Sequence, residues 1–150
     1  MINYEHIIVT INGLIREETN RPVVVQGSTD DQPNYPFASY TITSPNIVVS
    51  RARRADSMTE DVETVISLTW HSESNVEAMS LSQRTEALFK RSDVIQRLSD
   101  LGIAIVRTLG NGTRDTFISI ETERRYGFDL RVRTRHIDSN IIEDIETVSQ

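Results

Sequence analysis

The sequence contains no cysteine. The chain therefore has no disulfide, no thiolate nucleophile and no cysteine-ligated metal site, and it is compatible with a reducing cytosol. Long apolar runs are absent too, since none approaches the about 18 uninterrupted apolar residues that a membrane helix needs. Glu5, His6 and Asn12 interrupt the N-terminal stretch, which makes it a poor signal peptide. These absences argue against a disulfide scaffold and against a membrane protein.

Patterns that mark common catalytic and metal sites are also missing. The three histidines lack a metal-ligand spacing such as HExxH: His6, His71 and His136. No GxSxG elbow occurs, and the glycines at 110 and 112 are not followed by a helix or by the GK[ST] of a phosphate loop. The sequence therefore predicts a protein that is not an enzyme and that uses no metal or cofactor.

Lysine is scarce. Lys90 is the only lysine among 16 basic residues, so the remaining basic residues are all arginine. Arginine is enriched at protein interfaces and lysine is depleted there, although codon bias in a GC-rich genome explains the same ratio. The formal net charge of -6 repels phosphate backbones and argues against specific nucleic-acid binding.

What is present fits one ordinary domain spanning residues 1–150. Hydrophobic residues make up 37% of the chain and charged residues 25%, which is typical of a globular protein. Apolar residues at helical spacing predict a helix over residues 4–17, with Asn20 and Pro22 as its stop. Ser74 and Glu77 form the pattern of a capping box, which predicts the start of a second helix. A shorter third helix is expected over residues 94–101, ended by Gly102.

Alternating patterns predict the strands. The two clearest cover residues 36–44, ended by Pro45, and residues 62–71. A strand over residues 103–109, a tight hairpin turn at 110–112 and a partner strand over 116–122 are expected next. Residues 45–60 between the first two strands include Arg51, Arg53 and Arg54, and we interpret them as a long hairpin arm or a mobile loop.

The stretch ERRYGFDLRVRTRH, residues 123–136, is the most arginine-rich part of the chain. In strand periodicity Arg131, Arg133 and Arg135 point to one face, opposite Phe128 and Leu130. An unpaired ladder of like charges is unfavourable, so acidic partners are expected. They could come from an adjacent strand, from another subunit, or from the C-terminal acids Glu143, Asp144 and Glu146.

Several phrases in a fixed order resemble one protein family. They are YPFASY at residues 35–40, a strand ending in Trp70 before a helix opened by Ser74, ERRYGFDLRVR at 123–133, and IEDIETV at 142–148. Together these resemble the neck or tail terminator proteins of tailed bacteriophages. The resemblance implies a single α+β domain with a curved, mostly antiparallel sheet. An N-terminal helix and a central helix pair are expected to flank it. Residues 141–148 are either strand or a helical turn.

The family resemblance also implies a function and partners. It implies a structural virion protein that forms a hexameric ring at the head-proximal end of the tail, after assembly in the host cytoplasm. Its partners would be further copies of itself, the tail tube protein, the sheath of a contractile tail, and the head–tail connector. DNA would only pass through the lumen. Two alternatives stay open: another tail-tube or baseplate adaptor, and a cytosolic protein- or RNA-binding module that uses the arginine-rich strand.

The segregated charges suggest where a ring interface lies, because a head-to-tail contact joins two different faces. The candidate interface residues are those of the arm, the ladder and the C-terminal acids: Arg51, Arg53, Arg54, Arg131, Arg133, Arg135, Glu143, Asp144 and Glu146. On this hypothesis, reversing the charge of Arg131 and Arg133 abolishes the ring and leaves the monomer folded. Pairing of the ladder within the chain, with the C-terminal acids, is the competing interpretation.

Overall fold

A computed structural model describes residues 1–139 of the chain. Three helices are present in this part: α1 (Tyr4–Thr19), α2 (Asn75–Leu88) and α3 (Ser92–Asp100). Five strands accompany them: β1 (Val23–Val25), β2 (Phe37–Arg53), β3 (Ser57–Ser72), β4 (Ala104–Thr113) and β5 (Arg124–Ser139). One 3₁₀ turn, Ser119–Glu121, precedes β5. The expected α+β class is confirmed.

The five strands form one sheet in the order β1-β2-β3-β5-β4. Strand β1 runs parallel to β2, and the other three pairings are antiparallel, which confirms the mostly antiparallel sheet. The sheet is mixed and uncurled, where a curved one was expected. Strands β2, β3 and β5 are its long members and extend beyond the short edge strands. At about 3.3 Å per residue, the 17 residues of β2 span about 55 Å.

All three helices pack on one face of the sheet. Helix α1 contributes Ile7, Ile11 and Ile15 to the core, and α3 contributes Leu98. The sheet meets them with the alternating apolar side of its two central strands: Ile66, Leu68, Trp70, Phe128, Leu130 and Val132. Because these side chains alternate with polar ones, the opposite face of the sheet is left polar.

The capping residues that the sequence predicts lie at the helix ends, except that the cap of α2 involves one further residue. Asn20 ends α1 in the left-handed conformation with φ 56°, and Gly102 follows α3 with φ 81°. At the start of α2 the Ser74 side chain accepts a hydrogen bond from the Glu77 backbone N–H. The reciprocal half of the capping box runs through Ser72, whose hydroxyl accepts from the Ser74 N–H and donates to the Glu77 carboxylate at 2.7 Å.

Residues 45–60 are strand and tight turn in the structure. Strand β2 continues past Pro45, and β2 and β3 stay paired as far as Arg53 opposite Met58. The prediction that Pro45 ends the strand is wrong, because register shifts on either side of it form a bulge where a missing N–H is tolerated. The Pro45 carbonyl instead accepts hydrogen bonds from Tyr4 and Thr64, each at 3.0 Å. Whether this hairpin projects as an arm stays a prediction.

The region between β4 and β5 differs from its prediction. Gly110 and Gly112 lie inside β4, which pairs with β5 across a bulge between Leu109 and Gly112, and they form no hairpin turn. Residues 116–122 are turns and a 3₁₀ turn rather than a strand. The strand that pairs with β4 is β5, whereas the sequence pattern assigned this position to residues 116–122.

Candidate assembly surfaces

The arginine ladder lies on the polar face of the sheet, opposite acids of β3. Arg135 contacts Asp61 at 2.8 Å, and Arg133 contacts Glu63 at 2.6 Å. Arg131 also approaches Glu63, at 2.8 Å. All three ladder arginines are therefore paired within the chain by an adjacent strand. Of the three sources of acids that the sequence left open, the adjacent strand provides partners for the ladder.

Glu63 is the centre of this arrangement. Glu63 is only 6% exposed, and its carboxylate binds two guanidinium groups. Arg133 donates from both Nε and Nη2 to Glu63 Oε2, whereas the Arg131 Nε makes an ion pair without a directed hydrogen bond. An exposed pair of this kind contributes little, but a carboxylate withdrawn from water depends on its partners.

Asp61 sits nearer the end of the hairpin and is more exposed. The hydrogen bonds from Arg135 and Ser50 lower the pKa of its carboxyl below the ordinary value. Both acids of β3 that face the ladder, Asp61 and Glu63, are thus already paired with arginines of β5. Burial of Phe128 beneath the ladder also excludes a base-stacking role for its ring.

The arginines of the hairpin divide into two groups. Arg51 contacts Glu60 across the β2–β3 pair at 3.1 Å. Arg53 and Arg54, at the end of the hairpin, are exposed and make no ion pair with any acid among residues 1–139. The Arg54 backbone N–H donates to the Ser57 carbonyl and closes the turn. Of the six predicted interface arginines, these two are the ones without an acid partner among the described residues.

The described residues end at 139 and do not include the C-terminal acids Glu143, Asp144 and Glu146. The choice between strand and helical turn at 141–148 therefore stays a prediction. Within residues 1–139 the ladder takes its acids from β3, as the adjacent-strand interpretation expected.

A cleft that the sequence did not reveal lies on the polar face of the sheet, at the end opposite the hairpin turn. Its volume is about 890 Å³, and its walls come from the β1–β2 loop, the outer sides of β2 and β3, and the β4–β5 loop. The side chains on its floor include Ser39 and His71. Asp30 and Asp31 lie on its rim.

A buried hydrogen-bond network supports the cleft floor. The Ser39 hydroxyl lies 2.8 Å from His71 Nε2, and His71 Nδ1 lies 3.0 Å from the Glu123 carboxylate. Tyr35 and Arg125 donate to the same carboxylate at 2.8 and 2.6 Å. The network therefore joins the β1–β2 loop and the start of β5 to the centre of the sheet.

Electrostatics fix the protonation states in this network. Burial lowers the pKa of His71 below 6.5 and outweighs the attraction of Glu123. Burial would raise the pKa of Glu123, but hydrogen bonds from His71, Arg125 and Tyr35 outweigh it and lower that pKa. At neutral pH a carboxylate therefore accepts from His71 Nδ1–H, and the neutral ring accepts at Nε2 from the Ser39 hydroxyl.

Serine, histidine and carboxylate are hydrogen-bonded here in the same order as in a catalytic triad. Their surroundings, however, differ from those of a catalytic triad. Ser39 lies within β2, which is paired with β1 on one side and β3 on the other. The backbone N–H groups around it belong to the sheet, so they do not form the oxyanion hole that acyl transfer uses. Sequence separations of 32 and 52 residues hid this network from motif analysis. We interpret it as the support of the cleft.

Comparison with known proteins decides the family. A family model described as phage neck terminator protein matches residues 7–150. This chain belongs to the phage neck terminator family. The match confirms the resemblance found in the sequence, and it gives the protein a structural role in the phage neck. A search of curated proteins found no match.

Two further findings bear on this neck terminator protein. No helix within residues 1–139 is long and apolar enough to cross a membrane. In the same residues, no group of three or more histidine or acidic side chains is placed to hold a metal ion. The two candidate surfaces that remain are the arginine-bearing hairpin end and the acidic-rimmed cleft.

Proposed function

We propose that this phage neck terminator protein is a ring subunit. Copies of the chain form a hexameric ring at the head-proximal end of the tail, where the ring ends tube growth and joins the tail to the head connector. The tail tube protein, and the sheath where the tail is contractile, contact the other side. DNA passes through the lumen without sequence-specific binding, and the protein performs no catalysis.

Family membership over residues 7–150 carries this proposal. The pairing of β2, β3 and β5 beyond the edge strands supports it, because it presents the exposed Arg53 and Arg54 at the end of the hairpin. A ring subunit needs such unsatisfied surface in two different places, since each copy meets its neighbours through unlike faces. The acidic net charge of -6 also suits a channel through which DNA moves without adhering.

The alternative of an RNA-binding module has lost its main support. It relied on the arginine-rich strand, and Arg131, Arg133 and Arg135 are all paired with acids of β3. A tail-tube or baseplate adaptor differs from a terminator in stacking into longer assemblies, whereas a terminator stops at one ring.

The first test is the mass of the purified protein in solution, by light scattering at low and moderate salt. A particle near six times the 17.1 kDa subunit supports the ring, and its dissociation at moderate salt indicates charged contacts. The second test adds the protein to growing tail tubes and measures their length by electron microscopy. A monomer that neither assembles nor shortens the tubes contradicts the proposal.

A further inference from the structure

The end of the β2–β3 hairpin carries two arginines that pair with no acid in the described part of the chain, together with one exposed acid, Asp56. We call residues 53–57 the hairpin tip. Arg53 and Arg54 are exposed there, and no acid within residues 1–139 pairs with them. Every other arginine of the hairpin and ladder has an acid within ion-pair distance. The tip is therefore the part of this face where a partner's acids can bind without displacing existing pairs.

The rim of the cleft carries the complementary charge. Asp30 and Asp31 stand in the β1–β2 loop, both are exposed, and no basic group within residues 1–139 pairs with them. The cleft also contains Arg114 and Arg125, but these are compensated by Asp129 at 3.0 Å and Glu123 at 2.6 Å. Within the described part of the chain, the charge at the cleft mouth that has no partner is thus negative.

These two surfaces cannot meet within one chain. Ser39 on the cleft floor and Arg53 at the tip belong to the same strand, and the intervening residues span about 45 Å at strand geometry. Strand β2 is paired with β3 along this length, and β3 is paired with β5. The hairpin therefore cannot fold back, and a contact between tip and cleft must join two molecules.

Exposed apolar residues accompany the charges at both ends. Phe117 and Ile118 follow the cleft residue Thr116 and are 97% and 87% exposed. On the hairpin side, Ile137 is 66% exposed and Val49 is exposed as well. Large apolar side chains beside unpaired charges are the composition of an interface, with an apolar centre and a polar rim.

We propose that the hairpin tip of one subunit binds in the cleft of the next, with Arg53 and Arg54 pairing with Asp30 and Asp31 of the neighbouring copy. The inference rests on the proposed ring and names the contact that closes it. Because tip and cleft are different surfaces, the contact is heterologous, and repeating it generates a ring when the rotation closes. The hydrogen-bonded floor of Ser39, His71 and Glu123 presents the cleft in a fixed shape, which reduces the ordering cost of binding.

A charge exchange tests the pairing. The variants Arg53→Glu/Arg54→Glu and Asp30→Arg/Asp31→Arg should each raise the subunit concentration at half assembly at least about tenfold, measured by light scattering. A variant with all four substitutions restores opposite charges across the contact and should reassemble. The matched control for the arginine variant, Arg97→Glu/Arg107→Glu, makes the same change in net charge on α3 and β4 and should assemble like the unaltered protein.

Cross-linking supplies a second measurement that does not depend on affinity. Since the chain has no cysteine, Arg54→Cys combined with Asp31→Cys introduces the only thiols. Oxidation should give a ladder of covalent oligomers ending at the ring, because a disulfide needs Cα atoms within about 7 Å and the two sites are too far apart within one chain. Each single cysteine variant should give nothing larger than a covalent dimer.

The outcomes separate the contact from the function. If the unaltered protein forms rings but the double variants do as well, or the fourfold variant fails to reassemble, or no ladder appears, the tip–cleft contact is wrong and the ring stands. A control that also loses the ring overturns the contact, because the loss in the arginine variant would then follow from its net charge and not from its position. If the unaltered protein forms no ring with or without tail tubes, the proposed function fails first and the contact falls with it.

Discussion

Glu63 of strand β3 lies directly opposite Arg133 of strand β5, and the guanidinium of Arg133 contacts its carboxylate at 2.6 Å. Arg131, two residues away on the same face, contacts the other oxygen of Glu63 at 2.8 Å. One nearly buried acid therefore pairs with two arginines of the ladder and offsets part of their combined charge. This relationship makes the ladder part of the stability of the monomer, whether or not it also contacts a neighbour.

Reversing the charge of Arg131 and Arg133 together should destabilise the monomer. Both replacements would place acids beside Glu63, whose burial leaves it little water to compensate. Breaking a fully buried pair costs about 3–5 kcal/mol, and the partial exposure of Arg133 reduces the expected loss to about 2–3 kcal/mol. Urea unfolding followed by circular dichroism measures it.

Arg135→Glu is the matched control for that experiment. Its partner Asp61 lies at the exposed end of the same ladder, so a much smaller loss is expected. A double variant as stable as the unaltered protein would show that the Glu63 pairs do not support the fold. That result would support the hypothesis that Arg131 and Arg133 can be reversed without harm to the monomer.

Acid should destabilise the protein in two stages. Burial lowers the pKa of folded His71 below 6.5, so the unfolded chain takes up a proton there more readily. The contribution of neutral His71 to the free energy of unfolding is therefore fully present above about pH 6.5. It decreases as the pH drops below that value. The pKa of Glu123 is lowered below 4.5, and its contribution is lost as the pH falls further. Urea midpoints at a series of pH values reveal both stages.

His71→Gln isolates the first stage. A glutamine amide can still donate to Glu123 but does not titrate, so the decline that begins near pH 6.5 should become shallower. The variant should also be less stable at neutral pH by about 1–3 kcal/mol, because Ser39 or Glu123 loses part of its hydrogen bonding. Identical pH profiles for the two proteins would rule out His71 as the titrating group.

The single tryptophan reports on a buried hydrogen bond. Trp70 Nε1 donates to Thr85 Oγ1 at 2.9 Å, and both residues are fully buried. Thr85→Val keeps the shape but leaves the indole N–H unpaired, which should cost about 1–3 kcal/mol. Thr85→Ser keeps the hydroxyl and should lose only about 1 kcal/mol for the missing methyl group. Fluorescence-detected unfolding compares them, and equal losses would show that the hydroxyl is unimportant.

Two glycines that face each other across β4 and β5 should respond differently to alanine. A Cβ at Gly127 would overlap the Leu68 carbonyl oxygen and lie 2.9 Å from the Thr69 Cα. Gly127→Ala should therefore destabilise the sheet by about 1–3 kcal/mol. Its register partner Gly112 has open space, so Gly112→Ala should change stability by no more than about 0.5 kcal/mol. Thermal unfolding of both variants checks this, and a stable Gly127→Ala protein would contradict the close approach of β3.

The sequence predicted elements whose signals are local. Helix α1 has an apolar stripe and a stop at Asn20, and α2 has the Ser74 cap, so both could be predicted. The alternation around Trp70 and Phe128 predicted two central strands and the face they bury. The strand prediction for residues 116–122 was wrong. These residues alternate as in a strand, but the strand that pairs with β4 is β5. Pairing partners are decided by the whole sheet and not by a local pattern.

What the sequence determined by itself is the class of the protein: an acidic, cysteine-free α+β chain of the neck terminator type with an arginine-bearing hairpin and an amphipathic final strand. Only the tertiary structure decided which charged side chains form ion pairs within the chain. Strand register places Glu63 and Asp61 opposite the ladder, and it leaves Arg53 and Arg54 without acids in the described residues. The same folding brings Ser39, His71 and Glu123 together under a cleft. Charge pairing depends on distances of a few ångströms between residues far apart in the chain, so sequence order alone does not contain it.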